Sequence, residues 1–274
     1  MAEWILEPLG YAFFLKGLFA GLAVSVACGV LSGFIVWRGM AFIGDALAHA
    51  ILPGIVVSVM FGFNMFLGAM GAAVVSVFAI GAITSQRGFK DDTAIGVIFT
   101  GAFALGIVLM NRVSTFKDLS HILFGSILGV GTADVIAIAA VALVVVAAVF
   151  LFYKELLVTS FDSTHAIAIG LSPSAVQYGL LFLVAATTVI SVQTVGVVLV
   201  LALLVTPAAT ASLIAKSLPV IIILSIAFAA LSVLVGFYAS YYLDLASGAA
   251  IVLALTVVFS LVFGGAKIKA AVHR

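Results

Sequence analysis

The sequence predicts an all-α polytopic membrane protein, and three observations support this fold class. Hydrophobic residues make up 66% of the 274 positions and charged residues only 8%, with a mean hydropathy of +1.45. Apolar runs of about 20 residues recur along the chain, each long enough to cross a hydrocarbon core of about 30 Å as a helix. The polar-apolar alternation over about 10 positions that marks outer-membrane barrel strands is absent.

The sequence predicts nine spans within a single domain, residues 1–274, and a merge or misreading of one segment would give eight. The spans are expected at about 14–36, 41–62, 66–84, 94–110, 133–152, 176–192, 195–214, 219–240 and 248–264. A short interfacial helix is predicted at 3–12, and 121–130 predicts a half-helix too short to span. In the first span, small residues recur in a stripe that favours close approach of another helix: Gly17, Gly21, Gly29 and Gly33.

The basic residues predict the orientation of the chain. With nine spans and an external N-terminus, eight of the 11 Lys and Arg residues fall on the cytoplasmic side and three fall outside. This is the bias of the positive-inside rule. It predicts a cytoplasmic C-terminus, a cytoplasmic polar interval at 153–174 and an external loop at 237–247.

Asp45 and His49 stand four residues apart in the otherwise apolar run 40–54. At that spacing on a helix the two side chains share one face, a turn apart. Pro53 has no N–H, so the carbonyl of His49 loses its helical partner and is free to bind something else. An ionisable group inside a membrane segment is costly, and by default it marks a pathway or a binding site.

These groups suit a divalent transition metal, because mixed oxygen and nitrogen ligation fits Mn(II), Fe(II) or Zn(II) better than Cu(I) or Mg(II). Two side chains are too few for a complete metal site, whereas a two-fold dimer would supply two carboxylates and two imidazoles. The structural alternative is that Asp45 caps a helix N-terminus and that His49 bonds a neighbouring carbonyl.

The sequence predicts a transport subunit rather than an enzyme. It contains no Gly-x-x-x-x-Gly-Lys-Ser/Thr motif for ATP, no recognisable Ser/His/Asp or Cys/His arrangement, and no basic cluster for nucleic acid. Asp45 is the one acid deep in a predicted span, which is less buried charge than a proton- or sodium-coupled carrier usually needs. Another chain is therefore expected to supply the energy.

Two further segments leave alternatives open. The run 161–173 has a start rich in Ser and Asp, then small residues, then Gly170 and Pro173, which predicts a short helix with a defined stop. At the cytoplasmic face it could dock into another protein or be a simple connector. Pro207 could kink its helix or be a tolerated transmembrane proline.

Several motifs, spread over residues 14–264, together carry a family resemblance. They are Trp37-Arg38 followed by Gly44-Asp45-Ala46-Leu47-Ala48-His49-Ala50, Asp92-Thr93-Ala94-Ile95-Gly96, Asp118-Leu119-Ser120-His121-Ile122-Leu123-Phe124-Gly125, the run 162–170, Gln193-Thr194-Val195-Gly196, Thr206-Pro207-Ala208-Ala209-Thr210-Ala211 and Asp244-Leu245-Ala246-Ser247-Gly248. The chain resembles the membrane permease subunits of bacterial ABC importers for manganese, zinc or iron. That family is related to the vitamin B12 and siderophore permeases.

The resemblance implies a type II ABC importer-like permease in the bacterial cell (inner) membrane. It also implies a homodimer, or a pair of similar permeases, around a central path. The expected partners are two cytoplasmic ATPase subunits and an external metal-binding protein.

The resemblance also implies roles for particular residues. Asp45 and His49 match the family's intramembrane metal-contacting pair, and the interval at about 160–172 matches its coupling helix. The residues expected to contact the ATPase are Phe161, Asp162, Ala166 and Gly170.

Two departures from the family pattern remove no ligand. Ala48 stands where Ser is usual, and Ala208-Ala209 follows Pro207 where Gly-Ala is usual. The form His-Ile-Leu-Phe-Gly at 121–125 favours manganese or iron members over zinc members.

The predicted function is therefore ATP-driven, alternating-access import of a divalent metal ion, with Mn²⁺ favoured and Fe²⁺ or Zn²⁺ as alternatives. No permanently bound cofactor is expected. A secondary, proton-coupled metal carrier is one alternative. Another is an ABC permease for a chelate or vitamin, which would have a wide cavity and no need of the Asp/His pair.

Overall fold

The computed structural model describes residues 2–84, 91–112 and 127–272, which fold as helices joined by short connections. In chain order the helices are α1 (Ala2–Leu9), α2 (Ala12–Trp37), α3 (Ile43–Ala50), α4 (Leu52–Phe61), α5 (Met65–Thr84), α6 (Asp91–Met110), α7 (Thr132–Leu151), α8 (Tyr153–Phe161), α9 (Ser163–Ala168), α10 (Pro173–Val195), α11 (Val197–Ser212), α12 (Leu218–Leu243) and α13 (Ser247–Val272). A 3-10 turn at Ile127–Gly129 precedes α7. The motif at 118–125 and most of the predicted half-helix lie outside the described residues.

Eight helical segments within the described ranges are long and apolar enough to cross a membrane. They match eight of the nine predicted spans. The ninth, predicted at 195–214, is the shorter apolar helix α11 of 16 residues. Helix α11 runs from Val197 to Ser212 with Pro207 inside it, so the proline does not end the helix.

Helix α2 lies in the core of the bundle, packed against α7, α11 and α12. Its glycine stripe explains the close approach of α12. A Cβ added at Gly29 would lie 2.9 Å from the Cα of Ile226, which leaves no room for a side chain. A Cβ added at Gly33 would lie 2.7 Å from Cγ1 of the Ile222 side chain. The stripe therefore works as the sequence predicts.

The contacts between α2 and α12 fix their relative direction. Phe14, near the start of α2, has its ring centroid 4.8 Å from that of Phe237, near the end of α12. Gly33, near the end of α2, lies against Leu218 at the start of α12. The two helices are therefore antiparallel. Helix α13 begins beside the last turns of α12, with Ile251 against Gly236, and so runs back toward the end of the bundle where α2 ends.

The second membrane segment, Ile43–Phe61, consists of two helices, because the chain changes from α3 to α4 at Ile51. Pro53 stands in the first turn of α4, where a missing N–H is tolerated. Helix α4 then packs on α5 with backbone almost touching backbone. A Cβ added at Gly54 would lie 2.0 Å from the Gly68 carbonyl oxygen.

The interval between α7 and α10 folds as the two short helices α8 and α9. Asp162 separates them, and its carboxylate accepts a hydrogen bond of 2.8 Å from the backbone N–H of His165. This is an N-cap in which the side chain satisfies a free donor of the first turn. Helix α9 lies at the same end of the bundle as Arg38, which follows α2. We refer to this end as the α9 end.

Candidate functional site

Asp45 and His49 lie on α3 in the geometry that their spacing predicts. Nδ1 of His49 is 3.3 Å from Oδ1 of Asp45 and 2.9 Å from the Asp45 backbone carbonyl oxygen. The side chain of Asp45 is 33% exposed and that of His49 is 25% exposed. The pair is therefore neither sealed in the core nor fully on the surface.

The contact with the backbone carbonyl decides which ring nitrogen of His49 carries the proton. A carbonyl oxygen can only accept, so Nδ1 of the neutral ring donates to it. Nε2 then keeps its lone pair, as a metal ligand requires. The other oxygen of the Asp45 carboxylate, Oδ2, is the second atom that this arrangement leaves for a cation.

Two aromatic rings of α6 hold the imidazole in this orientation. The ring centroid of His49 is 5.6 Å from that of Phe99 and 5.2 Å from that of Phe103, both near edge-to-face. The two phenylalanines are one helical turn apart in the middle of α6, which places the Asp45–His49 pair about halfway along that span. Their edge-to-face contacts stabilise one rotamer of the histidine.

The helix breaks after the pair at Ile51, and the prediction that the His49 carbonyl is left free is wrong. The N–H of Ile51 lies 3.2 Å from the Leu47 carbonyl and also points to that of His49. On the other side of α3, Gly44 packs against the side chain of Leu204 on α11. A Cβ at Gly44 would lie 2.7 Å from that leucine, so the pair's helix is seated tightly.

No third acidic, histidine or cysteine side chain joins Asp45 and His49 in the part of the chain that the structure describes. The pair offers a cation one carboxylate and one imidazole from this chain. Further ligands would have to come from a second copy of the chain, from backbone oxygens or from water.

The predicted coupling residues surround α9. The ring of Phe161 is 55% exposed, and the helix presents two further apolar side chains, Ile167 at 64% and Ile169 at 54%. Ala166 is fully buried, so its side chain faces the permease, where its small size lets α9 sit close. Exposed apolar side chains on a short surface helix are typical of a docking element.

Gly170 ends α9 through its backbone conformation. Its φ is +84°, a left-handed value that suits glycine. The N–H of Gly170 donates to the Ile167 carbonyl at 3.0 Å, and that of Leu171 donates to the Ala166 carbonyl at 2.9 Å. This pair of bonds is the Schellman motif, which confirms the predicted helix stop.

Sequence reasoning did not assign a role to Arg38. This residue joins residues 159–170, the end of α8 with α9 and its cap, which we call the α9 segment, to the connection leading to α3. Its Nε donates to Ser160 Oγ at 2.9 Å and its guanidinium NH2 donates to Thr159 Oγ1 at 2.8 Å. Beside it, the rings of Trp37 and Phe161 lie 4.7 Å apart. The only signal in the sequence was the position of Trp37-Arg38 at the head of the first motif.

A second polar cluster lies at the α9 end. The amide nitrogen of Gln177 on α10 donates to Asp91 Oδ1 at 3.1 Å and to Thr84 Oγ1 at 3.3 Å. Burial lowers the pKa of Arg38, and the negative charge of Asp91 acts in the opposite direction. The guanidinium nevertheless stays charged at physiological pH. The ends of α2, α5, α6 and α10 thus meet around a shared set of polar groups.

Comparison with known proteins identifies the family to which this helical membrane fold belongs. Residues 10–265 match the family described as ABC-3, the ABC 3 transport family. The chain belongs to the ABC 3 transport family. The match covers most of the chain and confirms the expected resemblance to metal-type ABC permeases. A permease subunit of this kind is a transport component and not itself the catalytic chain.

Individual relatives of this ABC 3 transport family member span nearly its whole length. The manganese transport system membrane protein MntC of Listeria monocytogenes is 44% identical over 253 residues, which is 92% of this chain and 90% of the relative. The chelated iron transport system membrane protein YfeD of Yersinia pestis is 35% identical over 265 residues, which is 96% of this chain and 89% of the relative.

Solved structures show the same fold. PsaBC from Streptococcus pneumoniae, solved in complex with Fab, superposes with a TM-score of 0.83 at 36% identity, covering 96% of this chain and 95% of that one. An inward-facing metal-chelate type ABC transporter gives a TM-score of 0.74 at 14% identity, covering 93% of this chain and 85% of that one. The predicted ABC importer-like permease fold of a multi-pass membrane protein is therefore confirmed.

Proposed function

We propose that this chain is the permease subunit of an ABC importer that carries a divalent transition metal ion, with Mn²⁺ as the favoured cargo. Fe²⁺ and Zn²⁺ are the alternatives. The observation that supports this most directly is the Asp45–His49 pair, which keeps Nε2 and a carboxylate oxygen for a cation. The names of the relatives add support, since one is a manganese and another a chelated-iron transport protein.

The exposure of the pair argues that it faces a path or a second copy of the chain. A carboxylate and an imidazole that are a quarter to a third exposed in mid-bundle would be costly against lipid. That cost disappears if the exposed atoms line a water-filled passage or a two-fold axis. Two copies of the chain would then bring two carboxylates and two imidazoles to one cation.

In the proposed cycle, an external metal-binding protein delivers the ion, and the pairs of both protomers hold it transiently. The carboxylates offset part of the free energy of dehydrating the cation, and the small number of protein ligands lets it leave. Partner ATPase subunits would bind the α9 segment from the cytoplasm, through Phe161, Asp162 and Gly170, with Ala166 seating the helix. ATP binding and hydrolysis in those subunits would then alternate the open end of the bundle.

We infer that the α9 end and the C-terminus lie in the cytoplasm, because the positive-inside rule puts most of the basic residues there. The antiparallel order of α2, α12 and α13 is consistent with this, since α13 runs toward the α9 end and both then lie on one side. Membership of an ABC family favours this mechanism over a secondary, proton-coupled carrier. The Asp/His pair favours a bare cation over a chelate or vitamin, whose passage would not need it.

The test is ⁵⁴Mn²⁺ uptake into proteoliposomes that contain the permease, its ATPase and its metal-binding protein. Loss of a group that supports a metal ligand lowers affinity or activity by about 10- to 100-fold. We expect Asp45→Asn and His49→Ala, which remove the ligands themselves, each to lower uptake by at least this much. ATP hydrolysis and assembly should persist. Asp134→Asn is the matched control, because among the described residues Asp134 bonds the Gly131 N–H before α7, at 3.0 Å, and no group of the Asp45–His49 pair. Wild-type uptake in both pair variants would exclude the proposal, and competition by Fe²⁺ and Zn²⁺ would rank the cargo.

A further inference from the structure

We propose that Arg38 is a positioning residue that transmits movement of the α9 segment to the helix carrying Asp45 and His49. This inference deepens the proposed function and rests on it, since it presumes that α9 receives the ATPase. It starts from two hydrogen bonds that connect parts of the chain 121 and 122 positions apart. Both run from the one guanidinium to neighbouring hydroxyls on the last turn of α8.

The two hydroxyls are held in a fixed orientation. Thr159 Oγ1 donates to the Glu155 carbonyl at 2.7 Å, and Ser160 Oγ donates to the Leu156 carbonyl at 2.5 Å. With both protons directed into the helix, the oxygen lone pairs face Arg38. Each hydroxyl therefore accepts from the guanidinium in a geometry that α8 itself sets, and linked bonds of this kind strengthen one another.

A second, apolar contact lies beside these bonds. The ring centroids of Trp37 and Phe161 are 4.7 Å apart, at an interplanar angle of 43°. Two consecutive residues at the end of α2 thus contact three consecutive residues at the end of α8. Because the polar and apolar contacts lie next to each other, the two segments cannot slide past one another without breaking both.

On one side the connection to the metal pair is short and internally bonded. Gly39 has a φ of +72°, and Met40 N–H donates to the Ile35 carbonyl at 3.0 Å. These features form a Schellman motif that turns the chain sharply after α2. The N–H of Ile43 then donates to the Met40 carbonyl at 3.1 Å. The connection from Arg38 to α3 is therefore short and hydrogen-bonded along its length.

On the other side, Phe161 is followed directly by Asp162, the residue that caps α9. A displacement of α9 therefore moves Thr159 and Ser160, and with them the guanidinium and the start of α3. Two sites are coupled through an element whose position both of them bias. In this chain that element is the joined unit of the α2 end and the α8 end.

Simple anchoring does not explain the choice of arginine. Its burial lowers the pKa of the guanidinium, so the charge is held partly out of water at a cost. Apolar side chains of similar volume pack two helices together without that cost. What the guanidinium adds is direction, because its planar fork fits two acceptors in one geometry only.

The experiment measures metal transported per ATP hydrolysed, in proteoliposomes with the full complex and Mn²⁺ as the probe. We expect Arg38→Gln to lower this ratio by about 2- to 30-fold, the range over which residues outside ligand sites change coupling. Hydrolysis should continue. Thr159→Val, nearly isosteric, should lower the ratio in the same direction, and the double variant should be no worse than Arg38→Gln alone, because both remove one linkage.

Two further variants separate the linkage from charge and from folding. Arg38→Lys keeps the charge near Asp91 but cannot bond both hydroxyls in a fork, so it should transport as poorly per ATP as Arg38→Gln. Lys154→Gln is the matched control, because it removes an exposed positive charge from the same helix α8. It should keep the wild-type ratio.

The inference is overturned if Arg38→Gln keeps the wild-type ratio, if Arg38→Lys restores it, or if the effects of Arg38→Gln and Thr159→Val simply add. None of these outcomes bears on the Asp45–His49 proposal, which is judged by uptake in Asp45→Asn with the linkage intact. Conversely, normal uptake in Asp45→Asn and His49→Ala would exclude the proposed metal site. The ratio of metal transported to ATP hydrolysed in Arg38→Gln would still test the linkage on its own.

Discussion

The backbone N–H of Ala208 donates to Oγ of Ser32 at 3.2 Å, which ties α11 to α2 one residue after Pro207. Ser32 and Ala208 are both fully buried, so no water competes for this bond. The bond holds the proline-containing part of α11 against the central helix. The sequence left open whether Pro207 kinks its helix or is tolerated within it. In the structure Pro207 lies inside α11, next to this bond.

Ser32→Ala is therefore expected to destabilise the bundle by about 1 kcal/mol, the net value of an internal hydrogen bond. The measurement is the thermal unfolding midpoint of the purified permease in detergent. Ser225→Ala is the matched control, because Ser225 is equally buried but, within the described ranges, its hydroxyl bonds the Ile221 carbonyl of its own helix and no other helix. Equal shifts in the two variants would argue against a special role for the Ser32–Ala208 bond.

Phe103→Ala is expected to weaken Mn²⁺ binding to the permease by releasing the imidazole of His49 from its fixed rotamer. The loss should fall within the about 10- to 100-fold range of groups that orient metal ligands. Phe103→Leu should lose less, because it keeps an apolar contact without the ring edge. The measurement is Mn²⁺ affinity of the detergent-purified complex. The control is Phe78→Ala, because the exposed ring of Phe78 lies 5.7 Å from that of Tyr178 on α10, in a tilted contact away from His49.

Gly54→Ala should prevent α4 from packing on α5. The added methyl would lie 2.0 Å from the Gly68 carbonyl oxygen, so one of the two backbones must move. Overpacking of this kind costs about 1–3 kcal/mol or more. Gly71→Ala is the control, because in the described part of the chain nothing outside its own helix backbone lies within 4 Å of its added Cβ, and alanine favours a helix. Comparable yield and thermal stability of the two variants would contradict the packing account.

Asp162→Ala should loosen α9 by removing the N-cap on His165, at a cost of about 1 kcal/mol. Asp162→Asn keeps an accepting oxygen and should preserve the helix. We expect the alanine variant to bind the ATPase subunits more weakly, with the asparagine variant close to wild type. Co-purification at increasing detergent and salt measures the difference. If charge rather than capping mattered, asparagine would fail as badly as alanine.

Much of the fold followed from the chain's apolar pattern, because in a bilayer every backbone polar group of a span must be satisfied within its own segment. Helices at eight of the nine predicted positions, and α11 at the ninth, reflect that constraint. The stripe from Gly17 to Gly33 likewise predicted a close neighbour, although not that the neighbour is α12. Which helices pair is decided by contacts between distant residues, such as Gly29 with Ile226.

The sequence by itself determined the two chemical groups of the candidate site, because a carboxylate and an imidazole at a four-residue spacing must share a helix face. It also determined the start and stop of α9 through Asp162 and Gly170, whose effects are local. Only the tertiary structure decided that Phe99 and Phe103 hold the imidazole, and that Arg38 bonds Thr159 and Ser160. Those contacts join residues tens to more than a hundred positions apart, and no local pattern records which partner a side chain will meet.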